Sequence, residues 1–291
     1  MKMDDQRESD NVEDVRQSSG GGLPLGGGRG LSLGGIVIAL LASWAFGINP
    51  LTVLGLLDGG AGAPAQAPAT APAETHPTDA GGKFVSQVLA NTEDVWRAYF
   101  QQTGQPYPAP KLVIFRGRWP TGCGNGDAAM GPFYCPADRK VYIDLSFYDT
   151  LRQRLGAPGD FAQAYVIAHE VGHHLQNLMG TTDKLDKARG HVSEREANAM
   201  SVRLELQADC FAGVWAKLSQ QSKGWLEQGD IEEALNAAAQ IGDDTLQKRS
   251  RGTVVPESFT HGSSAQRVRW FKTGLDAGDL KACDTFSSAA L

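Results

Sequence analysis

An α+β fold is expected from three features of this 291-residue chain. Short runs rich in Val, Ile, Phe and Tyr come early in the part that can fold. Long apolar periodicities come late, and the two kinds do not alternate. Ser193 and Glu196 have the spacing of a capping box, which opens a long helix in the second half.

Taken in order, residues 1–30 are polar, acidic and glycine-rich, with Asp4, Asp5, Glu8, Asp10, Glu13 and Asp14 ahead of two glycine triplets. Such a segment buries too little apolar surface to fold, so a disordered tail is expected. Residues 31–57 carry no charge, and their first 18 residues are mostly Leu, Ile, Val, Ala and Gly. At about 1.5 Å of rise per residue they nearly cross a hydrocarbon core of about 30 Å. One transmembrane helix is expected, with Pro50 marking an end or kink. A cleaved signal peptide fits less well, because the preceding segment is long and acidic and Pro64 follows Ala61-Gly62-Ala63. Arg16 and Arg29 precede the span, and the next basic residue is Lys83. The positive-inside tendency then puts the N-terminus in the cytoplasm and the rest outside, in a periplasm or at the cell exterior. Residues 58–82, with their Ala-Pro run, read as a semi-rigid linker.

The folded domain is expected over residues 83–291. Residues 84–102 read as a helix, 111–115 as a strand, and 133–135 with 141–143 as the arms of a hairpin. Residues 161–179 read as a helix ended by Gly180. The capping box starts a helix running to about residue 219. Asp230 with Glu233 marks another helix start, and Ser263 or Ser264 caps a last one.

The net charge of −6 argues against a nucleic-acid partner, and no basic cluster compensates for it. The four cysteines, Cys123, Cys135, Cys210 and Cys283, include no C-x-x-C pair. Two disulfides suit an oxidising compartment. Three pairings exist and the sequence does not choose among them; Cys123 with Cys135 and Cys210 with Cys283 is favoured. Four buried thiols remain the alternative.

The chemistry centres on His169-Glu170-Val171-Gly172-His173. On a helix, histidines four apart share a face and can bind one Zn²⁺ per chain. Glu170 is then placed to take a proton from a water at the metal, as general base. Tyr165 to Ala168 before the motif and Leu175, Leu178 and Met179 after it make this helix apolar, so bare ionisable groups on it would be costly. A catalytic zinc needs a third protein ligand. A metzincin would carry Gly at 176 and His at 179, where this chain has Gln176 and Met179. Glu205 is the candidate instead, with Asp209 four residues on to accept the outer N–H of a ligand histidine. Glu194, Glu196 and Asp209 are rival ligands. His174 projects about 100° away on the helix and reads as a neighbour of the site.

The motif with Glu205-Leu206-Gln207-Ala208-Asp209 resembles the gluzincin-type zinc peptidases. The whole chain resembles the bacterial putative neutral zinc metallopeptidase family, through Ser9 to Asp14, the span ending at Asn49-Pro50, Gly131 to Pro136, and Ser258 to Arg267. The resemblance implies a zincin-like domain behind a single-pass anchor. It also implies an edge strand pairing with substrate backbone, for which Gly131, Pro132, Phe133 and Tyr134 are the candidates. Gluzincins steady the oxyanion with a His or Tyr. Thr260-His261 followed by Arg267 is similar to the Thr-His-Pro…Arg segment of the Ste24/HtpX type, although Gly262 stands in place of the proline. His261 is the oxyanion candidate on that likeness.

The expected activity is membrane-anchored, zinc-dependent endopeptidase action on peptide or protein substrates, with the bilayer contacted through 31–57. A tethered binding module with structural or vestigial zinc is the non-enzymatic alternative. Hydrolysis of a non-peptide amide is a third reading.

Overall fold

Among the described residues six strands follow one another as β1 (Val12–Asp14), β2 (Lys111–Phe115), β3 (Arg118–Thr121), β4 (Gly124–Asp127), β5 (Phe133–Cys135) and β6 (Lys140–Asp144). Four of them form one sheet in the order β1-β2-β6-β5. β1, β2 and β6 run parallel, and β5 closes the row antiparallel to β6. β2 is apolar at nearly every position because both of its faces are covered. Leu112 and Ile114 face the helices, together with Val141 and Ile143 of β6. Val113, Phe115 and Tyr142 face the other way, into a small second cluster with Val15, Phe133 and Cys135. The β3–β4 hairpin lies over that second face, contributing Trp119.

Eight helices surround the first face among the described residues: α1 (Ala80–Gln102), α2 (Ser146–Gln153), α3 (Asp160–Leu178), α4 (Thr181–Arg189), α5 (Glu194–Lys223), α6 (Asp230–Gln240), α7 (Asp243–Arg251) and α8 (Ser264–Ala277). The capping boxes at Ser193–Glu196 and Ser263–Gln266 form in full. α3 carries the HExxH motif, and nearly all of it is buried. Close helix contacts need glycine. A Cβ on Gly172 of α3 would come within 3.1 Å of the Ala208 backbone of α5. One on Gly274 of α8 would stand 1.9 Å from the Cys210 carbonyl oxygen of α5. Both expected disulfides are present, Cys123–Cys135 and Cys210–Cys283.

The computed structural model describes residues 1–2, 6–17 and 76–291. The expected transmembrane segment 31–57, most of the linker 58–82 and the rest of the tail lie outside the described residues. Among the described residues no helix is long and apolar enough to cross a membrane.

The described part of the tail departs from expectation. Residues 6–17 are ordered, and Val12 and Val15 are 1% and 5% exposed. Burying a valine fully contributes about 1.5–3 kcal/mol. Glu13 and Asp14, read as part of a solvated tail, are paired. Glu13 meets Lys111 and Lys140 at 2.8 and 2.6 Å, and Asp14 pairs with Arg16. Arg7, Ser9 and Asn11 all converge on the buried Glu93 of α1. Arg16 also pairs with Asp79, the N-cap of α1. Arg16 and Asp79 thus close a neck between the two described parts of the chain.

β1 lies in the expected cytoplasmic tail and β2 in the expected extracytoplasmic domain. The two strands are hydrogen-bonded neighbours, and the expected crossing between them lies outside the described residues. α1 begins at Ala80, inside the expected linker.

Candidate metal centre

The geometry starts from α3. His169 and His173 lie a turn apart on it, their rings perpendicular with centroids 4.8 Å apart. α5 crosses α3 at the Gly172–Ala208 contact, which brings Glu205 opposite both rings. His169 Nε2 is 3.1 Å from Glu205 Oε2, and His173 Nε2 is 3.5 Å from Glu205 Oε1. The three donor groups lie within 4.8 Å of one another.

Each histidine is held from behind through its Nδ1. His169 Nδ1–H donates to Asp209 at 2.8 Å, and His173 Nδ1–H donates to the Gln176 side-chain carbonyl at 2.8 Å. Both Nε2 atoms thus face the Glu205 carboxylate, the arrangement a metal-binding imidazole needs. Gln176 is fixed in turn by donating to Leu204 O at 2.7 Å. Asp209 is fully buried and also takes two bonds from Arg267, at 2.8 and 2.9 Å, and one from Tyr165. The guanidinium offsets the buried carboxylate, which burial would otherwise push towards the neutral form; Asp209 is held down at about 2.

The donor set fits a cation. Burial alone would lower the proton affinity of both imidazoles, yet Asp209 and Glu205 raise His169, and Glu205 raises His173. Glu205 stays ionised although buried, because His173 and His169 face it. The site attracts positive charge, and two imidazoles with one carboxylate are the ligands of a catalytic zinc site with an open position. Glu194 sits in the first turn of α5 and Glu196 closes its capping box, so neither rival is spare. Asp209 is turned to the outer side of His169.

Glu170 is 7% exposed, and burial raises its pKa against the opposing pull of His173 and His169. It lines a cleft of about 540 Å³ together with His169, His173 and Glu205. Gly131, Pro132, Phe133 and Tyr134 form one wall of the same cleft, and β5 is the last strand of its sheet. His261 lines it too, half-exposed. Asp243 positions this histidine: its Oδ2 accepts the backbone N–H of Thr260, His261 and Gly262 at 2.7, 2.7 and 3.1 Å. Its Oδ1 stands 3.3 Å from His261 Nδ1. Burial works to lower the His261 pKa, but the Asp243 bond and the charge of Glu205 raise it overall.

His169, Glu170, His173, Glu205, His261 and residues 131–134 thus line one cleft, with Asp209 behind His169, whereas Glu194, Glu196 and His174 do not line it. The sequence reading missed three roles. Gln176 backs His173, and its i, i+3 spacing could have shown it. Asp243 holds His261, and the Arg267 pairing with Asp209 joins residues 58 apart in sequence; neither leaves a local signal.

A helix-borne HExxH, a carboxylate from a second helix and a sheet edge along one cleft define a zinc-peptidase type of site on an α+β domain. The chain belongs to the family described as putative neutral zinc metallopeptidase, whose model matches residues 1–286. It is 51% identical over 295 aligned residues to the protein of Escherichia coli K12 described as uncharacterized protein YpfJ, covering 99% of this chain and 100% of that one. It is 45% identical over 195 residues to uncharacterized protein Mb2605 of Mycobacterium bovis, covering 64% and 65%. Uncharacterized protein Rv2575 of Mycobacterium tuberculosis matches to the same extent. No solved structure matches the chain.

Proposed function

We propose that this chain is a zinc-dependent endopeptidase acting on extended polypeptides, with His169, His173 and Glu205 as metal ligands. The observation that carries the reading is the convergence of these donors beside Glu170, on the floor of a cleft walled by a sheet edge.

Zinc, when bound, supplies Lewis-acid polarisation and makes water a nucleophile near neutral pH. Glu170 takes the proton from the attacking water, its burial favouring the protonated form it must reach. It then delivers that proton to the leaving amine. His261 donates a hydrogen bond to the oxyanion, steadied by Asp243 behind it. β5 pairs with the substrate backbone. The two disulfides support an oxidising, extracytoplasmic location for the domain.

The test is Glu170→Gln beside Glu205→Ala, with zinc measured by elemental analysis and hydrolysis followed on an unfolded protein substrate. Glu170→Gln should keep about one zinc per chain and lose hydrolysis. Glu205→Ala should lose the metal. Full hydrolysis by Glu170→Gln sinks the mechanism. Zinc in a wild type that cleaves nothing would favour the binding-module reading.

A further inference from the structure

His174 is the ionisable residue of the motif region that the reaction does not use. It is fully buried and turned from the metal towards the sheet. Its Nε2 lies 2.7 Å from the carbonyl oxygen of Pro108. A carbonyl only accepts, so Nε2 carries the hydrogen and Nδ1 offers a lone pair. The Tyr134 hydroxyl, 3.0 Å away, therefore donates to Nδ1. The same hydroxyl oxygen accepts from Asn177 Nδ2 at 2.9 Å, and the two rings meet edge-on with centroids 5.5 Å apart.

These contacts join two parts of the cleft. Tyr134 is the middle residue of β5, and side chains alternate along a strand. Phe133 and Cys135 point to the second cluster, and Tyr134 points to α3. His174 and Asn177 follow His173 on α3 by one and four residues. Asn177 also reaches Pro136 O, just past the strand, at 3.4 Å. The outer edge of β5 pairs with no other strand among the described residues. Besides its bonds to β6 and the Cys123–Cys135 bridge, this short edge is tied to the helix carrying the metal ligands by the Tyr134 hydroxyl and, just past the strand, by the Asn177 bond to Pro136. Both lone-pair and proton capacity of that hydroxyl are engaged, which removes it as an oxyanion donor.

We infer that Tyr134 is a positioning residue, which holds the edge strand at a fixed height and register over the metal helix and so sets the affinity for an extended peptide. The inference rests on the peptidase reading for its substrate, but the tie itself does not.

Tyr134→Phe in the full, zinc-loaded chain keeps the ring and removes the hydroxyl. Two hydrogen bonds go with it, to His174 and from Asn177, and each is worth about 0.5–1.5 kcal/mol net, so the effect should be at least about two- to twelvefold. Exchange of the β5 backbone amides that bond to β6 should quicken by at least that factor. Affinity for a fluorescein-labelled extended oligopeptide, read by anisotropy, should fall by about as much, and KM should rise with kcat and zinc content unchanged. Asn177→Leu should repeat the pattern. Unchanged exchange overturns the tie. Faster exchange with unchanged peptide affinity, or a loss in kcat alone, overturns the positioning role. A wild type that binds the peptide but hydrolyses none would defeat the peptidase reading, while exchange and anisotropy still decide this one.

Discussion

Asp209 gathers the residue-scale chemistry of the site, joining His169, Tyr165 and Arg267 without touching the metal position. Asp209→Asn keeps the shape and removes the charge. Zinc affinity should fall about 10–100-fold, the usual cost of losing a ligand's outer partner, as measured by chelator competition. Arg267 would then be left buried without its ion-pair partner, and the metal-free protein should lose about 3–5 kcal/mol in urea unfolding. His174 carries a pH prediction. Burial outweighs its bond to Pro108 and lowers its pKa from the ordinary 6.5 to about 4. The unfolded chain therefore binds the proton more readily, so stability falls as pH drops through 6.5 and the loss is complete below about 4. In chelator-treated protein the wild type should lose about 3 kcal/mol more than His174→Gln between pH 7 and pH 4, measured by denaturant titration. Equal losses would remove His174 from the account.

At the scale of elements, α5 does most of the joining: it meets α3 at Gly172, meets α8 at Gly274 and carries Cys210 one residue after Asp209. The Cys210–Cys283 bridge spans 73 residues, a loop whose closure is worth about 4 kcal/mol in the chain-entropy account. The Cys210→Ala, Cys283→Ala double variant should lose about that much stability, by urea unfolding of the metal-free form, with the ligand set still able to take up zinc. The elements that were legible in advance are those with local instructions. α3 and α5 show apolar periodicity, a breaker at Gly180 and a capping box at Ser193. β2, β5 and β6 are short apolar runs between turn residues. β1 was hidden because Val12 and Val15 are buried only by partners about a hundred residues away, amid charges that look solvated until Lys111, Lys140 and Glu93 are placed beside them. The β3–β4 hairpin was hidden for a similar reason: Gly124-Asn125-Gly126-Asp127 has no strand-forming composition, and Gly126 is required because the Phe133 ring lies 2.6 Å from where its Cβ would be.

At the scale of the whole molecule, strand pairing makes a prediction about sidedness. Residues 6–17 and 76–291 form one packed unit, so both must lie on the same side of any membrane the chain meets. The native cysteines are all bonded, leaving introduced ones as clean reporters. Gln17→Cys and Ala289→Cys, both at exposed positions, should react alike with a membrane-impermeant maleimide. Either both label in intact cells or both wait for permeabilisation. One labelled and the other protected would show that β1 does not pair in the membrane-associated protein.

The neck closed by Arg16 and Asp79 has a practical consequence. With its two sides in contact, a short Gly-Ser bridge could join residue 17 directly to residue 76 and excise everything between. A protein begun at residue 83 would instead lack β1 and the N-cap of α1, leaving one side of β2 bare. The spliced version keeps all six strands and the whole ligand set. It should purify without detergent and bind zinc as the full chain does, making it the form to crystallise.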